Sequence, residues 1–237
     1  MTKRVVGERR RRRPTKTGVV LSHELIVRTA IRLIHEHGSE GLSVRRLGIA
    51  LGADPSSVYR YFRNTDELIR AVADDLIGQY LADFAPSGEL RGTLRELGLR
   101  IHSALVAEPR ISALTASRVT GRPHEISTIE LGLGILRDAG FAPGDAARHY
   151  HAFIDLTLGF AALDASAAAL PHDTDTADDA VWDTVYAGLP RSTHPNIAAC
   201  SAALAETMRA SAYPMALELF LDGVEARLDR PARRMTS

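Results

Sequence analysis

The fold is decided between Leu42 and Leu68, in the run LSVRRLGIALGADPSSVYRYFRNTDEL. Ser43 is placed to N-cap a short helix, with Leu42 before it and Leu47 inside it as a hydrophobic staple. Val44, Leu47 and Leu51 recur at helical spacing and give that helix one apolar face. Gly52 follows as a turn residue that tolerates positive φ. Asp54 and Pro55 then read as the cap and first position of a second helix, because proline has no N–H to lose there. Val58 and Phe62 point inward at i, i+4. Ser56, Ser57, Tyr59, Arg60 and Tyr61 are left on the outer side.

Two short helices joined at a steep angle by a glycine-containing turn form a helix-turn-helix, whose second helix can enter the major groove of DNA. The outer residues are chemically suited to that role. Hydroxyls and guanidinium groups bond to phosphates or base edges, and tyrosines pack on the sugar-phosphate backbone. The same spacing also fits an ordinary helical hairpin inside a larger all-α domain.

Upstream, Ser22 caps a helix running to His37, with Leu21 and Ile26 as its staple and Gly38 as its stop. Downstream, Asn64 and Glu67 start a helix reaching about Phe84, and Pro86-Ser87-Gly88 marks a boundary. Beyond it the pattern is helical, with no sustained alternation of period two. Helices are predicted over 89–107, 110–120, 124–139, 143–169, 195–211 and 213–229, and residues 171–194 read as a loop with Trp182 and Tyr186 embedded. The second half of the 143–169 helix is apolar on nearly all sides and must be covered on several faces. The expected architecture is all-α, divided into a basic arm (1–20), a helix-turn-helix domain with a linking helix (21–84) and a larger helical domain (85–237).

From roughly Ser22 to Tyr80 the chain resembles the N-terminal domain of the TetR family of bacterial transcriptional repressors. The resemblance is carried by SVRRLGIALG, SSVYRYF and NTDELI together. The segment LRDAGFAPGDAARHYHAFIDLTLGF is similar to that family's regulatory domains. Gly48 stands where the family usually has alanine, and Ala53 where a larger aliphatic residue is common. The resemblance implies a homodimer on a palindromic double-stranded DNA operator. It also implies a four-helix bundle formed by the 143–169 and 213–229 helices across a two-fold axis, and release by a small molecule. Ser43, Arg45, Ser56, Ser57, Tyr59, Arg60, Tyr61 and Thr65 are the expected DNA-facing residues, with Arg45 and Arg60 suited to bidentate guanine contacts. Two other readings remain: a DNA-binding regulator without a small-molecule ligand, and an all-α enzyme or sensor whose helix-turn-helix makes protein contacts.

The charge distribution agrees with a nucleic-acid-binding head. The whole chain has zero formal net charge, yet residues 1–70 carry 15 Lys+Arg against 7 Asp+Glu, and the remainder is correspondingly acidic. Arg9 to Arg13 form a block expected to lie along phosphates or in the minor groove. One cysteine, Cys200, excludes an internal disulfide framework. No apolar run approaches a membrane span and no secretory signal is evident, so a cytoplasmic protein without membrane association is expected.

No catalytic constellation, metal site or cofactor motif stands out. The acidic run at His172-Asp173-Thr174-Asp175 lacks the spacing of a calcium loop. Gly132-Leu133-Gly134 follows no strand, and so is not a dinucleotide fingerprint. The acidic all-α body suggests instead a largely apolar effector pocket between helices. Its candidate lining is His102, His149, His151, Phe153, Asp155, Thr157, Trp182 and Tyr186.

Overall fold

The computed structural model describes residues 20–228, and within them the chain is helical with no strand. The arginine block at Arg9–Arg13 and the tail arginines Arg230, Arg233 and Arg234 lie outside the described residues. The fold divides between Val72 and Ala73 into two compact units.

The first unit contains α1 (His23–His37), a 3-10 turn (Gly38–Gly41), α2 (Val44–Leu51), α3 (Pro55–Val58) and the start of α4 (Thr65–Leu81). Each boundary has a local chemical cause. The Ser22 hydroxyl accepts from Leu25 N at 3.1 Å, and the Ser43 hydroxyl accepts from Arg46 N at 3.2 Å. Asp54 Oδ1 accepts from Ser56 N at 2.8 Å, with Pro55 at the first helical position. Gly52 takes the left-handed conformation (φ 60°, ψ 31°) that ends α2. The turn after it closes tightly, with Ala53 N donating to the Gly48 carbonyl at 2.9 Å. A Cβ on Gly48 would stand 2.9 Å from the Ala53 carbonyl oxygen and 3.2 Å from the Pro55 ring. This physical reason favours glycine over alanine at this position. Ile26, Ala30 and Ile34 from α1 are fully buried, as are Leu47, Val58, Phe62 and Val72 to within a few per cent. These side chains supply the apolar burial that fixes the short helices, which are too short to persist alone.

The second unit begins within α4 and continues through α5 (Leu90–Ala107), α6 (Pro109–Thr115), α7 (Pro123–Asp138), α8 (Pro143–Ala168), α9 (His172–Val181), α10 (Pro195–Thr207) and α11 (Tyr213–Leu228). Helices α5 and α8 pack against each other along the core, with α11, α6 and α7 around them. Leu94, Leu97 and Ile101 of α5, Phe153 and Ala161 of α8, and Tyr213, Leu217 and Leu221 of α11 are all buried. At the solvent edge Arg91 of α5 holds three carboxylates of α11: Glu218 at 2.5 Å, Asp222 at 2.8 Å and Glu225 at 2.6 Å. Arg95 adds a second hold on Glu218 at 2.6 Å. Leu163 of α8 and Leu219 of α11 stay open to solvent, each 64 % exposed.

The structure corrects the reading of 171–194 as a loop. Residues His172–Val181 form α9, and Trp182–Tyr186 continue it as a π-helix. One support is local, a ring stack one turn apart, and the other is tertiary. The Trp182 and Tyr186 rings stack at 4.4 Å, and Arg209 pairs with Asp179 at 3.6 Å and with Asp183. Helix α4 also ends at Leu81, earlier than the expected Phe84.

Candidate functional site

The outer face of the first unit gathers side chains from α2, α3 and the turn after it. Arg45 and Arg46 are exposed on the first turn of α2, and Ile49 is exposed one turn on. Ser56, Tyr59, Arg60 and Arg63 are also exposed, and Ser57 is half-buried. Among the described residues none of these four arginines is held in a salt bridge, so their charge is available to an external anion. α3 is a single turn followed by a tight turn, in which Tyr61 N and Phe62 N both donate to the Val58 carbonyl. Phe62 therefore plugs the core, which keeps Tyr59 and Arg60 outside.

Tyr61 differs from its neighbours. Its hydroxyl donates to the Leu21 carbonyl at 2.7 Å and its ring meets the His23 ring edge-on at 5.1 Å, so it braces the chain entering α1. Ser43 is half-buried and its oxygen is engaged as the α2 cap. Thr65 begins α4. Asn64 Oδ1 accepts from Glu67 N at 2.8 Å, and Glu67 returns the capping bond one residue earlier than a standard capping box, to Arg63 N at 2.7 Å. The positive end of α4 thus sits beside the exposed Arg63, in a place that favours a phosphate.

The second unit holds a cavity of about 370 Å³. The last turns of α4 supply Leu76, Ile77 and Tyr80. α5 supplies Ile101 and Leu105, the end of α6 and its following turn supply Thr115 to Val119, and α7 supplies Glu125, Thr128 and Ile129. α8 closes it with Tyr150, His151, Ile154, Asp155 and Leu158. The walls are mostly apolar, as small-molecule sites are. The threonine hydroxyls are spent locally: Thr115 donates to Ile111 O at 2.9 Å and Thr128 to His124 O at 2.7 Å.

The polar end of this cavity rests on a fixed carboxylate pair. Glu125 accepts from Thr120 N at 3.0 Å and Gly121 N at 2.7 Å. Beneath it the buried Asp74 accepts from Glu125 N at 3.0 Å, and His124 Nδ1 lies 3.2 Å from the other Asp74 oxygen. Burial pushes the Tyr150 phenol up to about 12, with the Glu125 charge adding to the effect. Burial also raises the Tyr80 phenol, with Tyr150, Glu125 and Asp74 contributing in that order. Both phenols stay protonated and able to donate. Gly132 of α7 lies under the Tyr150 ring, where a Cβ would overlap it. The close approach of that ring accounts for the first glycine of the Gly-Leu-Gly run.

Of the expected pocket residues, Asp155 and His151 line the cavity, paired at 3.1 Å with side chains 68 % and 78 % exposed. The others lie elsewhere. His102 stacks on Tyr213 at 4.4 Å and bonds Asp164 at 2.7 Å, and Ser211 donates to the same carboxylate. His149 bonds the Asp145 carbonyl at 2.7 Å and packs on Phe141. Phe153 and Thr157 are core residues, and Trp182 stacks on Tyr186 outside the lining. Tyr80, Tyr150 and Glu125 carried no local signal in the sequence, since they come together only through the packing of α4, α7 and α8. Among the described residues no three His, Cys, Asp or Glu side chains are placed to hold a metal ion, and no helix is long and apolar enough to cross a membrane.

Comparison with known proteins covers both units. Residues 26–72 match the model of bacterial regulatory proteins, tetR family, and residues 85–228 match that of the tetracyclin repressor-like C-terminal domain. The class C tetracycline repressor protein of Escherichia coli is 29 % identical over 141 residues, 59 % of this chain and 64 % of that protein. An HTH-type transcriptional repressor of Mycobacterium tuberculosis is 27 % identical over 164 residues, 67 % of this chain and 61 % of that protein. The matches span less than two thirds of the length of these curated relatives. A possible TetR family transcriptional regulator from Streptomyces coelicolor A3(2) superposes with a TM-score of 0.71 at 25 % identity, over 87 % of this chain and all of that one. The TetR family protein ActR of the same species, solved in complex with actinorhodin, shares the fold with a TM-score of 0.80 at 20 % identity, over 90 % of this chain and 99 % of that one.

Proposed function

From the premise that this chain belongs to the TetR family of bacterial regulatory proteins, we propose that it is a ligand-responsive transcriptional repressor. It binds a palindromic operator as a homodimer and is released by a small molecule. The observation that carries the reading is the outer face of the first unit. Arg45, Arg46, Arg60 and Arg63 stand exposed there around a turn held by Gly52 and Asp54. Arg45 and Arg60 read base edges, Ser56, Ser57 and Tyr59 contact the backbone, and Thr65 receives a phosphate at the start of α4.

Two heads on a two-fold axis read half-sites about 34–36 Å apart, or a multiple of that. The exposed leucines Leu163 of α8 and Leu219 of α11 support pairing of these helices with those of a second copy. The cavity supports the effector site. α4 supplies Tyr80 to that cavity and starts at Thr65 beside the DNA-facing residues, so an effector that favours one disposition of α4 shifts operator affinity by its differential affinity for the two states. The family and the absence of a membrane-crossing helix among the described residues support a cytoplasmic regulator without catalytic activity.

The test is binding of the full chain to DNA upstream of its own gene and to a genome-wide pool, across salt concentrations. A dimer whose selective binding falls steeply with salt, and is released by an effector, is the expected result. Failure to recover any selective site from the pool would sink the repressor reading.

A further inference from the structure

The lining of the effector cavity is of two chemical kinds, and this bears on its ligand. Leu76, Ile77, Ile101, Leu105 and Leu158 give it apolar walls. The Tyr80 phenol, the Tyr150 phenol and the Glu125 carboxylate also line it, close enough for each to feel the others' charge. Among the described residues neither phenol has a hydrogen-bond partner in the protein, and both side chains are half-buried. Glu125 is fixed from behind by the Thr120 and Gly121 amides, and Asp74 lies directly beneath it. Of the other ionisable groups of the lining, His151 and Asp155 lie 3.1 Å from each other, and Arg118 is exposed and already engaged within the protein.

The geometry points to a lipophilic amine as the ligand, its rings against the apolar walls and its ammonium group received by Tyr80, Tyr150 and Glu125. An ammonium carries three donors and no acceptor, and the three groups offer oxygens to match. The two phenol rings add a favourable electrostatic face for a cation. An anion placed there meets the Glu125 carboxylate, with Asp74 behind it, among apolar walls where like-charge repulsion is poorly screened. A neutral molecule can enter, but it brings no charge to complement Glu125. This inference rests on the reading of the cavity as an effector site.

The test uses three probes sharing one ring system: 1-naphthylmethylamine, 1-naphthalenemethanol and 1-naphthaleneacetic acid. Each is titrated into the full-length protein at neutral pH by calorimetry. The amine is expected to bind at least tenfold more tightly than the alcohol, with the acid weakest. In Glu125→Gln, which keeps an acceptor for the Thr120 and Gly121 amides, the amine's advantage is expected to disappear while the alcohol's affinity stays put. If that variant fails to fold by circular dichroism, the Tyr80→Phe, Tyr150→Phe double variant takes its place, and the advantage must shrink at least threefold. An acid or alcohol that binds as well as the amine overturns the proposal and leaves the effector cavity standing. So does an amine preference that survives both variants. If none of the three binds at millimolar concentration, the cavity reading falls with it.

Discussion

The hydroxyl of Tyr213 lies 2.9 Å from that of Thr157, joining α11 to α8 inside the core of the second unit. Thr157 donates onward to the Phe153 carbonyl at 2.8 Å, so the tyrosine donates to the threonine. Tyr213→Phe removes this bond but not the packing. It is expected to lower stability by about 1 kcal/mol, measured by urea unfolding. Tyr213→Ala is expected to cost about 3–5 kcal/mol, as large aromatic deletions do.

Alkaline pH probes the same phenol. Burial raises Tyr213 from its ordinary value of 10.0 to about 12, so between those values the folded state holds a proton that the unfolded state has released. The stability this provides is complete below pH 10.0 and is lost as pH rises towards about 12. Tyr150 behaves in the same direction. A titration of unfolding free energy should fall through this window, and Tyr213→Phe should flatten the fall. A flat wild-type profile would contradict the buried-phenol account.

Gly132→Ala tests the wall of the cavity. Its added methyl overlaps the Tyr150 ring, which must swing away. The expected result is a loss of roughly 1–3 kcal/mol in stability, typical of overpacking. A tenfold or greater loss of effector affinity should accompany it, with operator binding intact in the absence of effector. Gly134, with nothing within 4 Å, is the matched control and should accept alanine.

Gly48→Ala sets two effects against each other. Helix propensity gains about 1 kcal/mol, but the new Cβ stands 2.9 Å from the Ala53 carbonyl oxygen, which belongs to backbone and cannot rotate aside. Strain is expected to prevail, lowering the melting temperature and weakening DNA binding through the displaced turn. A raised melting temperature would refute this.

Arg60 and Tyr61 are neighbours with different expected signatures. Arg60→Ala should cost about 1–3 kcal/mol of operator binding, concentrated at one base position. A loss spread evenly over operator variants would make it a phosphate contact. Tyr61→Phe frees the Leu21 carbonyl and should cost about 1 kcal/mol of folding stability, with operator preference unchanged. Competition binding against single-base operator variants separates the two.

The head was readable because its determinants are local. Ser22, Ser43, Asp54 and Gly52 each act within four residues of themselves, and every one of these caps and turns is in place. The cavity was not readable, because its polar end draws on Tyr80, Glu125 and Tyr150, from three helices far apart in sequence. Periodicity marks which side of a helix is buried but not which neighbour it meets. For the same reason it favoured Phe153 and Thr157, which are buried by packing between α5, α8 and α11. The segment 171–194 misled by composition, since Arg209, more than twenty residues away, supplies the charge partner for Asp179 and Asp183.

Arg91 faces three acids spaced along one side of α11, and the guanidinium binds them all. Without it, Glu218, Asp222 and Glu225 form a stripe of like charges one turn apart on the same helix, with Arg95, among the described residues, offsetting the first. The sign of this edge's contribution to the salt response therefore hangs on one residue. In the native chain added electrolyte weakens an attraction and should lower stability, whereas in Arg91→Met it weakens a repulsion and should raise it.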